Sequence, residues 1–286
     1  MTLKRLLKIS RPRFWIYEIG PYLVGIAAAT HFELSAWTLV PTIIFFIFFT
    51  YPANIYIYGI NDIFDYETDK LNPKKTSYES LVMPEEWPKL WKNIILFCLP
   101  FLIYGLFVLE MGALIALLAF FFFAGFYSAT PIRAKARPFL DSFFSAGHYV
   151  ATAVFSYLLI NSIQNQSFSW EIIGVCIIAG LLWSIAMHAY SAVPDIQADR
   201  DAKLETIATK LEKRNTIILC AIFYLLSGIL VFPFLGIISI ILSVIYVAFM
   251  ILSLKTTDRQ LFKIYTYFPK INSTVGMIIF FAVLFN

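Results

Sequence analysis

The chain has 286 residues, of which 60% are hydrophobic and only 14% are charged, and it contains 29 phenylalanines. This composition lies far outside the range of soluble globular domains and indicates an integral membrane protein. The formal net charge of +4 does not indicate nucleic-acid binding, because the cations lie between long apolar runs and form no basic patch on a soluble domain.

Apolar runs of membrane-spanning length recur along the whole chain. Because a bilayer core about 30 Å thick is crossed by roughly 20 helical residues, the runs predict an all-α, polytopic membrane protein with nine transmembrane helices. The predicted helices cover residues 14–30, 37–60, 93–109, 112–130, 140–160, 172–194, 216–232, 235–254 and 267–285. The basic N-terminal segment is similar to the start of a signal peptide, but no small-residue cleavage site follows, so the first helix is expected to be retained.

The basic residues are distributed on one side of the predicted membrane. All 22 Lys and Arg residues fall before the first span, after the even-numbered spans or at the start of the ninth. The intervening loops, around Glu33, Glu110, Glu171 and Pro233, carry no basic residue. By the positive-inside rule we expect a multi-pass protein of the cell (cytoplasmic) membrane, with its N-terminus inside and its C-terminus outside.

An acidic cluster follows the second predicted span, at residues 61–69, which read Asn-Asp-Ile-Phe-Asp-Tyr-Glu-Thr-Asp. If this segment is helical, Asn61, Asp62, Asp65 and Asp69 fall along one face, because residues three and four apart are neighbours on a helix. Such a face repels itself unless a cation binds to it. Hard oxygen ligands suit Mg²⁺, which in turn binds phosphate oxygens, so the cluster predicts a Mg²⁺-diphosphate site.

A second acidic cluster follows the sixth predicted span, where Asp195 and Asp199 stand at i and i+4. Two clusters at matching positions favour a shared site over acids that merely solvate loop ends. We therefore predict a single membrane domain, residues 1–286, built from two units that each carry a cytoplasmic aspartate-rich loop. The first unit covers residues 1–138, and the second covers residues 139–286 and includes the ninth helix.

Several basic residues beside the clusters are candidates to neutralise a diphosphate, although each is also explained by membrane topology. They are Lys74, Lys75, Arg133, Lys135, Arg137 and Arg200. Within the spans, Asn54 and Tyr58 would extend the first acidic face into the membrane, and His188 lies seven residues before Asp195. An interhelical hydrogen bond is the alternative for His188 and His148.

Three further features have no assigned role in the predicted site. Glu18 lies inside the first span, and the sequence indicates no partner for it. Asp141 lies at the boundary of the fifth span. Each of the three cysteines falls in an apolar run without metal-ligand spacing, which predicts free, buried thiols: Cys98, Cys176 and Cys220.

Several motifs together resemble the UbiA superfamily of intramembrane prenyltransferases. Residues 61–69 resemble its first aspartate motif, and Asp195-x-x-x-Asp199 resembles its second. Residues 11–15 (Arg-Pro-Arg-Phe-Trp) and 127–138 look like family landmarks in the expected order, so the resemblance covers essentially the whole chain. Residues 187–200 look most like the lycopene elongase branch. The chain departs from the family at Lys203 and Glu212, where many members place glycine, and at residues 76–79, which replace a frequent Arg-Pro.

The resemblance implies a helical bundle that binds an isoprenoid diphosphate and alkylates a lipophilic acceptor from the bilayer. Mg²⁺ would be held by the two motifs, namely Asn61, Asp62, Asp65, Asp69, Asp195 and Asp199, with Asp62, Asp65, Asp195 and Asp199 as the catalytic carboxylates. Substrate would contact Asn54, Tyr58, Lys74, Lys135, Arg137, His188 and Arg200. The lycopene elongase branch implies dimethylallyl diphosphate as donor and a carotenoid as acceptor.

Two other hypotheses remain open at the level of the sequence. An aromatic or quinone precursor is an alternative acceptor. An ion-coupled transporter is an alternative class of protein, although it predicts essential acids near the middle of the membrane, whereas the clusters lie at span ends. No obligatory protein partner is indicated.

Overall fold

The computed structural model describes residues 1–30, 34–70, 81–164 and 168–285. Within these ranges the regular secondary structure is helical and no strand is present. The α-helices are α1 Leu3–Ile9, α2 Ile16–Thr30, α3 Ala36–Thr50, α4 Pro52–Phe64, α5 Tyr66–Asp69, α6 Trp87–Val108, α7 Met111–Ser128, α8 Leu140–Gln164, α9 Trp170–Ala192, α10 Ile196–Asp201, α11 Ile207–Leu230, α12 Phe232–Leu235, α13 Ile237–Leu254, α14 Asp258–Tyr265 and α15 Phe268–Phe285. Short 3-10 helices cover Pro12–Phe14, Pro84–Glu86, Ala134–Ala136 and Val193–Asp195.

The long helices are those of a multi-pass membrane protein. In the described part of the chain, eight helical segments are long and apolar enough to cross a membrane. The prediction of an all-α polytopic fold is therefore confirmed. The predicted first span corresponds to α2, which has 15 residues and is shorter than the roughly 20 that a full crossing requires, so the total of nine crossings stays a prediction.

Large apolar side chains on these helices point away from the protein. Trp37, Phe107 and Phe285 are 86%, 85% and 81% exposed, and many Leu and Ile side chains on the long helices are about half exposed. Exposed apolar surface of this extent is unfavourable in water and is suited to lipid.

The second predicted span, residues 37–60, is divided into two helices. Pro52 begins α4, and because proline has no amide hydrogen it cannot continue the hydrogen-bond ladder of α3. The side-chain amide of Asn54 donates instead to the carbonyl oxygens of Phe49 and Thr50, both at 3.0 Å. The Asn54 side chain therefore donates the hydrogen bonds that these two carbonyls do not receive from backbone amides at the break.

Two spans begin earlier than predicted. The structure starts α6 at Trp87 and α11 at Ile207, against predicted starts at residues 93 and 216. The extension of α6 contains two charged residues and that of α11 contains four, so neither was included in a span predicted from apolar residues. Apolar length reports only the part of a helix that lipid surrounds, whereas the hydrogen-bonded helix continues beyond it.

The chain divides into two compact units, each with its own aromatic core. One unit comprises Met1–Arg133 and Ala151–Gln166, and the other comprises Ala134–Val150 and Ser167–Asn286. In the first unit, Phe49 packs against Phe120 and Phe155 with ring centroids 5.2 and 5.4 Å apart. In the second, Tyr224 stacks on Tyr246 at 4.1 Å. The predicted division at residue 138 into two units, each with one acidic loop, stays a prediction.

The cysteines are free, as the sequence predicts, but they are not all buried. Cys98 and Cys220 are buried, whereas Cys176 is exposed. The prediction of burial was wrong for Cys176, because an apolar run has a lipid-facing side as well as a packed side.

Candidate active site

Helical backbone carries the first acidic cluster. Asn61 and Asp62 lie in the last turn of α4, Asp65 caps that helix, and Asp69 ends α5. The amide of Asp65 donates to the carbonyl of Asn61 at 2.9 Å, and the amide of Asp69 donates to that of Asp65 at 2.8 Å. These i→i−4 bonds keep Asn61, Asp65 and Asp69 in line on one face, the arrangement that the spacing predicts.

The carboxylates of this cluster differ in their surroundings. Asp62 and Asp65 are only 3% and 2% exposed, while Asn61 and Asp69 are half-buried. The Asn61 amide donates to the Ser128 hydroxyl at 3.0 Å. Glu67 is exposed and pairs with Lys70, and this hydrogen bond raises the pKa of the Lys70 ammonium. The buried carboxylates Asp62 and Asp65 are therefore the stronger candidates for chemistry.

Arg11 is a member of this site that the sequence analysis did not include. Its guanidinium donates to Asp62 Oδ1 at 2.7 Å and lies 4.6 Å from the centroid of the Tyr58 ring. Arg11 adopts a left-handed backbone conformation, with φ of 49°, between α1 and the turn Pro12–Phe14. In the sequence, Arg11 is explained as one of the cytoplasmic basic residues and as part of a family landmark. Its contact with Asp62, 51 positions away, cannot be predicted from local residue spacing.

Two of the predicted substrate-binding residues lie in the same unit as this cluster. Tyr58 is half-buried one turn before Asp62 on α4, and its ring centroid lies 5.9 Å from that of Phe14. Asn54 is buried, and its amide nitrogen is engaged by the two carbonyls at the break before α4. Lys74, Lys75 and residues 76–79 lie outside the described residues.

The second acidic cluster also lies on helical backbone. Asp195 ends the 3-10 turn Val193–Asp195, and Asp199 lies in α10. Both side chains are half-buried. Asp199 Oδ2 accepts a hydrogen bond from the Thr206 hydroxyl at 3.3 Å, and Thr206 also caps the N-terminus of α11. The turn between α10 and α11 is thus tied to a carboxylate of the cluster.

Asp141 helps to hold this turn. Its Oδ2 accepts a hydrogen bond from the backbone amide of Ile207, the first residue of α11, at 2.9 Å. Asp141 is fully buried in the first turn of α8. The sequence marks it only as a boundary polar residue, whereas the structure shows that it anchors the start of the helix that follows the second cluster.

The remaining predicted substrate contacts lie in the second unit. His188 Nδ1 lies 3.1 Å from the Ser142 hydroxyl, an interhelical hydrogen bond of the kind considered as the alternative to a substrate role. Arg200 is exposed and pairs with Glu212. Lys135 is half-buried in the turn Ala134–Ala136, and Arg137 is exposed.

Lys203 and Glu212 both have backbone conformations that favour glycine. Their φ angles are 54° and 64°, in the left-handed region that glycine adopts without steric cost. Glu212 has ψ of 163° and interrupts α11. This chain therefore places strained, non-glycine residues beside its second acidic cluster.

The donor groups suit Mg²⁺, although they do not form a complete cage of protein ligands. Among the described residues, no three His, Cys, Asp or Glu side chains converge to hold a metal ion. Mg²⁺ is commonly held by one or two carboxylates together with substrate phosphates and water, and it prefers hard oxygen ligands. The buried carboxylates Asp62 and Asp65 fit that mode of binding, and Arg11 compensates negative charge beside them.

Apolar helices of membrane-spanning length define a membrane-embedded protein. Two of its buried carboxylates, Asp62 and Asp65, lie at the end of α4. The sequence profile of the UbiA prenyltransferase family matches residues 19–265. The chain therefore belongs to the UbiA prenyltransferase family, and it is an enzyme that transfers prenyl groups.

The similar curated proteins are carotenoid enzymes. A lycopene elongase/hydratase of Haloarcula japonica is 32% identical over 273 residues, which cover 96% of this chain and 88% of the relative. A lycopene elongase/hydratase of Halobacterium salinarum is 34% identical over 277 residues, which cover 96% of this chain and 94% of the relative. The predicted resemblance to the lycopene elongase branch is confirmed.

Solved structures share the fold. A UbiA homolog from Archaeoglobus fulgidus bound to GPP and Mg²⁺ matches with a TM-score of 0.70 at 21% identity, over 98% of this chain and 99% of that chain. The same homolog bound to DMAPP and Mg²⁺ matches with a TM-score of 0.68 at 17% identity, over 96% and 99% of the two chains. This chain therefore has the UbiA fold.

Proposed function

We propose that the protein transfers the dimethylallyl group of dimethylallyl diphosphate to an end of a carotenoid of the lycopene type, in a Mg²⁺-dependent reaction. The observation that carries this proposal is the pair of almost fully buried carboxylates, Asp62 and Asp65, at the end of α4. Arg11 compensates the charge of Asp62, and a divalent cation bound beside both carboxylates would compensate the pair. The two relatives named lycopene elongase/hydratase support the choice of acceptor, since each aligns along nearly the whole chain.

The proposed roles follow the chemistry of each side chain. The carboxylates and amide of the two motifs hold Mg²⁺: Asn61, Asp62, Asp65, Asp69, Asp195 and Asp199. Mg²⁺ held there would supply the positive charge that the diphosphate oxygens need as the leaving group departs. Cationic side chains bind the remaining phosphate oxygens: Lys74, Lys135, Arg137 and Arg200. Asn54, Tyr58 and His188 contact the organic part of the substrates.

The proposed reaction is an alkylation through an allylic cation. The C–O bond of the donor breaks, and the electron pair leaves with pyrophosphate. The terminal double bond of the acceptor then attacks the cationic carbon of the dimethylallyl group. Aromatic rings such as those of Tyr58 and Phe14 favour positive charge near their faces, and an apolar surrounding keeps water from capturing the cation.

The membrane location supports a lipophilic acceptor. The protein is a multi-pass membrane protein, and we place it in the cytoplasmic membrane with its N-terminus and both acidic clusters on the cytoplasmic side. The distribution of all 22 basic residues supports this orientation. A water-soluble diphosphate would then enter from the cytoplasm, while the acceptor would enter from the bilayer.

The decisive experiment uses purified protein in liposomes with labelled dimethylallyl diphosphate and Mg²⁺. Lycopene, 4-hydroxybenzoate and dihydroxynaphthoate are offered in separate reactions. We expect labelled product with lycopene and none after Mg²⁺ is removed with EDTA. Product with an aromatic acceptor alone would overturn the carotenoid assignment, and absence of product with every acceptor would overturn the proposed reaction.

A further inference from the structure

Glu18 is a buried carboxylate that the proposed roles above leave unused. It lies in the first turn of α2 and is 1% exposed. Its Oε2 accepts a hydrogen bond of 2.8 Å from the hydroxyl of Thr152, which is itself fully buried on α8. The sequence indicated no partner for Glu18, because the two residues are 134 positions apart.

Glu18 belongs to the same polar neighbourhood as the first acidic cluster. Arg11 binds Asp62, and its guanidinium lies 4.6 Å from the centroid of the Tyr58 ring. Glu18 lies near enough to Tyr58 to influence its hydroxyl electrostatically. Tyr58 precedes Asp62 by four residues on α4, which is about 6 Å along the helix axis. A polar path therefore leads from the Asp62 carboxylate through Arg11 and Tyr58 towards Glu18.

Aromatic rings accompany this path. Phe14 lies between two tyrosines, with ring centroids 6.2 Å from Tyr17 and 5.9 Å from Tyr58. Ring faces stabilise positive charge. Glu18 directly follows Tyr17 in the chain, so a carbocation stabilised by these rings would lie near a carboxylate that can accept a proton.

The hydrogen bond to Thr152 does not by itself account for a charged group at this position. A carboxylate buried among the helices of a membrane protein is costly and in most such proteins marks a functional site. A glutamine carbonyl would accept the same hydrogen bond without carrying a charge. The property that distinguishes Glu18 from such an amide is its capacity to accept a proton.

We propose that Glu18 is the base that resolves the carbocation left on the acceptor after prenyl transfer, an inference that rests on the proposed function. When the acceptor's double bond forms the new C–C bond, its other carbon becomes a tertiary cation. A neighbouring C–H bond then breaks, its electron pair forms an alkene, and its proton moves to Glu18. If water adds instead, a C–O bond forms, and the proton that water loses moves to Glu18, which leaves a tertiary alcohol.

The test compares wild-type protein with the Glu18→Gln variant in liposomes containing lycopene. Turnover is measured from labelled dimethylallyl diphosphate, and donor affinity is measured as the Kd of unreactive dimethylallyl thiodiphosphate with Mg²⁺. We expect kcat for the prenylated carotenoid to fall by about a hundredfold or more, the usual contribution of a general base, while this Kd stays unchanged. A purely structural role would be preserved by glutamine, which keeps the bond to Thr152.

Two further variants serve as controls. Glu110→Gln removes an exposed carboxylate at the start of α7 and should leave turnover unchanged. Thr152→Val removes the hydrogen bond but keeps the base, so most of the turnover should remain. If Glu18→Gln does not fold, Glu18→Asp replaces it. Because its carboxylate is retained but shortened, it should lower kcat without changing the donor Kd.

Each remaining outcome decides between the two proposals. Unchanged kcat in Glu18→Gln would overturn the role of Glu18, and so would a loss of kcat that is matched by a weaker donor Kd. Failure of the wild-type protein to prenylate any acceptor would instead overturn the proposed function itself.

Discussion

The ion pair between Arg11 and Asp62 predicts a large loss of stability in the Arg11→Met variant. The Arg11 side chain is 14% exposed and that of Asp62 is 3% exposed, and their N and O atoms lie 2.7 Å apart. Methionine keeps much of the apolar volume but leaves Asp62 as a buried charge without its guanidinium. Removing one partner of a buried pair costs about 3–5 kcal/mol.

This cost is measurable as a change in thermal stability. In proteins of this size each kcal/mol lowers the melting temperature by about 2–4 °C, so we expect Arg11→Met to unfold about 6–20 °C below the wild type. The measurement is thermal unfolding in detergent without Mg²⁺, followed by circular dichroism. Lys8→Met is the matched control, because Lys8 is exposed near the end of α1 and its loss removes the same charge.

A double variant separates the ion pair from other effects of the substitution. Asp62→Asn replaces the buried charge with a neutral amide, so adding it to Arg11→Met should recover part of the lost stability. Our reasoning would be refuted if Arg11→Met melted together with Lys8→Met. Simple addition of the two single effects in the double variant would refute it equally.

Three further predictions concern the clusters and the helix breaks. Asp195→Asn should abolish prenyl transfer at saturating Mg²⁺ without lowering the melting temperature, and retained transfer would exclude Asp195 as a metal ligand. Glu212→Gly should stabilise the protein by about 1–3 kcal/mol, the cost of a side chain in a backbone region that glycine alone adopts readily. The control Lys210→Gly, at a regular helical position of α11, should destabilise the protein by about 1 kcal/mol. A stability change of the same sign in both variants would contradict the strain at Glu212. Asn54→Ala should lower stability by about 1–3 kcal/mol, because the buried carbonyl of Phe49 and the partly buried carbonyl of Thr50 lose their donor. An unchanged melting temperature would show that the break before α4 does not depend on this amide.

The architecture was largely readable from the sequence because the bilayer imposes it. Lipid offers no hydrogen bonds, so each crossing must satisfy its backbone groups within helices over a nearly constant apolar length. Apolar runs mark these lengths directly. The helix boundaries were predicted wrongly where apolar length does not determine the helix. Pro52 divides a run that remains apolar throughout, and the charged start of α11 is helical although it is not apolar.

The acidic motifs were also readable, because their spacing matches one helical face and the structure keeps helical hydrogen bonds through Asn61, Asp65 and Asp69. The assignment of these residues to metal and substrate stays a prediction. Local spacing predicts which side chains share a helix face, but it contains no information about which distant residue approaches that face.

The sequence by itself determined the class of protein, its helical spans and the two carboxylate motifs, since each depends on residues close together in the chain. Only the tertiary structure decided that Arg11 binds Asp62, that Thr152 donates to Glu18 and that Asp141 holds the first residue of α11. These contacts join residues that are 51, 134 and 66 positions apart. They depend on helix packing, which no local pattern of residues specifies.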